Sequence, residues 1–141
     1  MAPLGGRAAA ADHPLAQVQK IYRLPDPDFS VFHDKQRRRQ FYTLRIVRLI
    51  TRKEACFRAK FKMDELDFDY IVPGQDYDIR ELKLSLREIH ESTAIVRVEY
   101  SGPGTNGRLD YHFENVSGRW LIDDVIVAPD DTLAKSLSAP C

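Results

Sequence analysis

Cysteine is nearly missing from this chain. Cys56 and Cys141 are the only two among 141 residues. Two thiols with no histidine at ligand spacing make a poor zinc cage, so no metal and no cofactor are expected. The pair has two readings. It closes a disulfide that ties the C-terminal tail to a helix, which requires an oxidising compartment, or it is two unrelated thiols. Net charge is missing too, since 21 Lys and Arg balance 21 Asp and Glu. No global field then draws the protein to nucleic acid or to an anionic membrane. Long apolar runs are also lacking. None approaches the ~20 residues that a membrane-spanning helix needs.

What remains is ordinary globular composition, 43% hydrophobic and 30% charged. The length suits a single core, so one domain is expected over 13–141 behind a tail at 1–12. The charges are segregated. From Lys35 to Lys62 there are eleven Lys and Arg against one acid, Glu54, whereas Met63 to Asp78 holds six acids and no base. These two stretches can neutralise each other across the fold. In the tail, Ala8-Ala9-Ala10-Ala11 before Asp12-His13-Pro14 is like the small-residue end of a secretory signal, without the basic start and apolar segment. One reading is an exported protein whose signal has been removed. The other is a disordered cytosolic tail.

The strongest pattern runs from Ile79 to Val127. In Ile79–Leu86, Leu82, Leu84 and Leu86 alternate with Glu81, Lys83 and Ser85. In Ser92–Tyr100, Ala94, Val96, Val98 and Tyr100 share a face. In Arg108–Glu114, Leu109, Tyr111 and Phe113 alternate with Arg108, Asp110, His112 and Glu114. The run Trp120–Val127 is more apolar, as a central strand or one covered at both ends would be. A period of two marks half-buried strands. The turn residues of Gly102–Gly107 and Ser117-Gly118 join them into a meander of hairpins.

Helical spacing dominates earlier. Pro14–Tyr22 opens with proline in the first turn and carries Leu15, Val18, Ile21 and Tyr22 on one stripe. Pro25 and Pro27 end it, and Asp26–His33 reads as a loop that packs back through Phe29, Val31 and Phe32. Asp34 is placed to cap a second helix running to about Cys56. Its apolar positions are Phe41, Leu44, Val47 and Ile50, with Tyr42, Ile46 and Leu49. Arg38, Arg45 and Arg52 recur every seven residues on the other side, with Arg48 nearby, as a solvated face or a binding patch. Thr132–Leu137 predicts a last helical turn. Between helix and sheet, Met63–Asp78 alternates acids with Leu66, Phe68 and Tyr70. It lacks the ligand register of a calcium loop.

The order of helix, long helix, acidic turn and meander resembles the nuclear-transport-factor-two-like superfamily over about residues 14–128. Within it, the chain is similar to a subgroup of small exported bacterial proteins of uncharacterised function. Arg38, Phe41 and Tyr42, then Gly74-Gln75-Asp76-Tyr77-Asp78, then Gly118–Val125 carry the likeness. It implies an α+β cone-shaped roll, with N-terminal helices packed on a curved antiparallel sheet. It also implies that a homodimer can form through the open sheet face.

Function is less direct, because this fold hosts enzymes, binders and dimerisation modules. Enzymes of the superfamily set a carboxylate with a Tyr or His inside the cone. Here Asp110 and His112 share the outer face, Tyr111 points the other way as core, and Asp123 and Asp124 follow on the next strand. No catalytic residue is therefore assigned. The expectation is a non-enzymatic periplasmic binding protein. The resemblance implies an immunity protein, which blocks a secreted peptidoglycan-targeting toxin by protein contact. Its candidate partner-binding residues are Tyr70, Asp76, Tyr77 and Asp78 on the acidic turn and Arg108, Asp110 and His112 on the sheet. Two alternatives are a carrier of a small apolar ligand in the cone and a proton-transfer isomerase or dehydratase.

Overall fold

The computed structural model describes residues 13–24, 34–62 and 81–141. The acidic stretch, the Asp26–His33 loop and the N-terminal tail lie outside the described residues. So do Tyr70, Asp76, Tyr77 and Asp78.

Among the described residues, four helices and five strands follow in order. Helix α1 (Pro14–Arg23) starts with proline at N1, where a missing N–H costs nothing. It buries Val18 and Ile21, and its Gln17 Nε2 donates to the carbonyls of Gln40 and Trp120. Asp34 caps α2 (Lys35–Phe41), accepting from the amides of Gln36 and Arg37. Helix α3 (Leu44–Phe61) follows, closed by Lys62 in the left-handed region at φ 59°.

The second helix expected to run from Asp34 to about Cys56 is thus two helices, and the second extends past Cys56. Tyr42 (φ −110°, ψ 150°) and Thr43 (φ −64°, ψ 159°) are extended. Tyr42 bridges to Ile122, and the Thr43 amide donates to the Ile122 carbonyl at 2.9 Å. A strand edge therefore takes the backbone groups that would have continued the helix. The break also resets the phase of the arginines. Arg38, grouped with a solvated row in sequence, is 1% exposed and grips Glu54 at 2.7 and 3.0 Å.

Strands β1 (Glu81–Ile89), β2 (Thr93–Gly102), β3 (Thr105–Val116), β4 (Arg119–Ala128) and β5 (Asp131–Thr132) form one antiparallel meander in the order 1-2-3-4-5. The α+β arrangement is as expected. Register matches the sequence pattern: Leu84 faces Val98 and Leu86 faces Val96, while Val96 faces Tyr111 and Tyr111 faces Val125. The β2–β3 turn is tighter than Gly102–Gly107, because Gly102 already pairs with Thr105. Pro103-Gly104, with Gly104 at φ 75°, is the pair that a type II turn takes. Ser117 and Gly118, both at positive φ, make the type I′ geometry that matches strand twist.

β4 lies between β3 and the two-residue β5. Helix α4 (Leu133–Ser138), capped by Thr132, buries Leu133 and Leu137, as the expected last turn. Helices and sheet share one core, in which Val18, Ile21, Ile46, Ile50, Val96, Val98, Leu109, Tyr111, Ile122 and Val125 are fully buried.

Candidate binding cleft

The break between α2 and α3 and a bulge in β4 meet at one place. His112 pairs with Asp124 and Phe113 with Ile122, so Asp123 is the extra residue of the bulge. Freed from the ladder, the Asp123 carboxylate accepts from Thr43 Oγ1 at 2.9 Å and Arg45 Nε at 3.2 Å. Arg45 Nη2 also donates to the Asp123 carbonyl. The start of α3 is thereby tied to β4.

Beside this tie lies an open cleft of about 600 Å³. Its floor is apolar, formed by Tyr42, Val47 and Leu121, all nearly buried. Its lips are Leu44, 57% exposed, and Val116, 40% exposed. Leu44 was grouped in sequence with the buried stripe. At the first position of α3 it is instead exposed at the rim of the cleft. Arg39 and Arg45 lie on one side of the cleft wall, and Glu114 and Asp123 come from the strands. Volume and lining fit a site for an apolar group flanked by polar contacts.

Asp110, Arg108 and His112 do share one sheet face, but they do not converge on one site. Asp110 forms a two-point pair with Arg97 at 2.8 and 3.1 Å. That hydrogen bond raises the already basic Arg97 guanidinium further. Arg108 lines a separate cleft of about 490 Å³ with Glu81, Lys83, Glu99 and Tyr100. His112 lines a smaller one of about 250 Å³ with Glu88, His90 and Glu114. Of these residues, Glu114 alone also reaches the apolar cleft. The residues that sequence reasoning missed are Arg39, Thr43, Leu44, Val116 and Leu121, whereas Arg45 stood in the arginine row read as a solvated face or a binding patch. Thr43 was the legible signal, since Thr before an apolar run is a helix cap.

Two more of the groups weighed for proton transfer, Tyr111 and Asp124, have partners of their own. The Tyr111 hydroxyl lies 3.1 Å from that of Tyr22. Asp124 accepts from the amides of Val125 and Ala134 at 2.8 and 2.9 Å, capping the start of α4. The Leu109, Tyr111 and Phe113 side chains are 2% exposed or less. Burial raises the Tyr100 phenol above its ordinary value.

The cysteine pair is a disulfide. Cys56 and Cys141 are bridged across 85 residues with their Cα atoms 6.4 Å apart. Lys53 Nζ donates to the Ala139 carbonyl and Lys60 Nζ to that of Cys141, so three ties hold the tail against α3. Among the described residues no cluster of three or more His, Cys, Asp or Glu could hold a metal. No described helix is long and apolar enough to cross a membrane.

No family model matches the chain, and no curated protein does. Among solved structures it is similar to a phospholipid-binding protein from Ralstonia solanacearum, determined in complex with a phospholipid. The two are 16% identical with a TM-score of 0.37, and the match covers 96% of this chain and 82% of that one.

Proposed function

We propose that this is a non-enzymatic binding protein that takes an apolar side chain of a protein partner into the cleft at the α2–α3 break. The observation that carries this is the pair of exposed lips, Leu44 and Val116, around a nearly buried floor. A protein surface covers floor and lips together, as a central anchor with a surrounding rim does. Charges of both signs around the opening, Arg39 and Arg45 against Glu114 and Asp123, set the partner's register.

The finer reading is an immunity protein, acting in the periplasm on a secreted toxin that attacks peptidoglycan. The disulfide supports an exported location, because cytosolic thiol buffers keep cysteines reduced. The test is affinity capture from periplasmic extract of the native host, followed by assay of the captured protein on peptidoglycan. One stoichiometric partner whose wall-degrading activity is blocked, and whose capture is lost with Leu44→Asp and Val116→Asp, is the expected result. Capture unchanged by both substitutions overturns the cleft. An apolar small molecule retained in native mass spectrometry, with no protein partner, overturns the protein-partner reading and favours the carrier.

A further inference from the structure

Strand β1 is the sheet's outermost strand, and among the described residues its outer edge pairs with nothing. It is nine residues long, with a regular ladder from Glu81 to Leu86 in line for another strand, and a bulge at Arg87 that ends this regular stretch. Its apolar face also outruns the helices. Val96 and Val98 on β2 are 0% exposed, whereas Leu84 and Leu86 opposite them are half-buried. Leu82 is 42% exposed and Ile89 47%. Among the described residues, ladder and apolar face are thus both left open along the same strand.

We infer that β1 pairs antiparallel with β1 of a second copy, about a two-fold axis at Leu84. In that register Leu82 faces the other copy's Leu86, and Leu84 faces Leu84. The leucines then continue the apolar face of one sheet into the next. Arg87, the bulge residue that ends the regular stretch, comes next to Glu81 of the other copy, so each end of the contact carries opposite charges. Centring one residue later, on Ser85, would set Lys83 against Arg87, and like charges directly opposite are unfavourable. The sequence around β1 therefore selects one symmetric register. A closed two-fold contact uses up both edges and stops at two copies. This contact is independent of the cleft, and it differs from a dimer through the sheet face.

Sedimentation velocity on the whole protein tests the pairing, because the chain alone is 16.2 kDa. Wild type is expected at twice that mass at micromolar concentration, and Leu84→Lys as monomer. Arg87→Glu sets acid against acid at both ends of the contact and is expected to weaken the dimer about tenfold. Adding Glu81→Arg restores opposite charges and should restore the dimer. Both positions are exposed, so folding is not at issue. A monomeric wild type overturns the inference. So does a dimer indifferent to Arg87→Glu, or one lost instead on His112→Glu, which would place the contact on the sheet face.

Discussion

Arg38 lies buried against Glu54, its guanidinium meeting both carboxylate oxygens at 2.7 and 3.0 Å. The pair joins α2 to the middle of α3 just behind the cleft. Removing one partner strands a charge in the core, and Arg38→Met or Glu54→Leu alone should cost about 3–5 kcal/mol. The double variant Arg38→Met/Glu54→Leu should recover most of that loss. Urea denaturation of the three variants measures it, and a double variant as weak as the singles would contradict the account.

Thr43 caps the start of α3, and its hydroxyl donates a hydrogen bond to the Asp123 carboxylate. Thr43→Ala removes the cap and the tie to the β4 bulge, with an expected loss of about 1–2 kcal/mol. Because Leu44 and Arg45 follow directly, partner capture should weaken as well. Unaltered stability would show that the strand bridge at Tyr42 alone fixes the break.

The Cys56–Cys141 bridge closes a loop of 85 residues in sequence. Cys141→Ser should lower stability by about 4 kcal/mol on chain entropy. Wild type treated with a reductant should fall to the same level. Thermal unfolding with and without reductant reads both. A reductant effect persisting in Cys141→Ser would point to another cause.

Tyr100 sits against Gly107, its register partner, where an added Cβ would come within 2.7 Å of the Tyr100 Cζ. Burial raises the phenol pKa, because the charged form loses hydration. Between the ordinary value of about 10 and the raised one, the folded state holds a proton that the unfolded state has lost. This group's stabilisation is therefore present below about pH 10 and is lost as pH rises through the folded value. Ultraviolet titration of wild type minus Tyr100→Phe should show a midpoint above 10. In Gly107→Ala the ring is pushed off the sheet, and the midpoint should fall back toward the ordinary value.

Much of this protein was legible before any coordinates. The period of two assigned β1 to β3, because each buries mainly one side, and the apolar run Trp120–Val127 assigned β4, which buries Trp120, Leu121 and Ile122 in succession. The stripe of Val18 and Ile21 and the cap at Asp34 placed helices through local chemistry. The cysteine pair was legible as a candidate, though not its closure, which needed the 6.4 Å approach of two distant Cα atoms.

The site itself was decided by tertiary structure. Arg38 has the same local pattern as Arg45 and Arg52, and only the break at Tyr42–Thr43 sends it inward to Glu54. That break depends on Ile122, eighty residues away in the chain, offering its carbonyl to Thr43. The bulge at Asp123 likewise has no signature in Trp120–Val127. It comes from fitting two registers of β3 to one strand. By itself the sequence determined which strand residues avoid water, since there burial follows from polarity and period, but not the burial of Arg38 or the exposure of Leu44. Only the fold decided which distant backbone groups satisfy each other, and the cleft lies where they do.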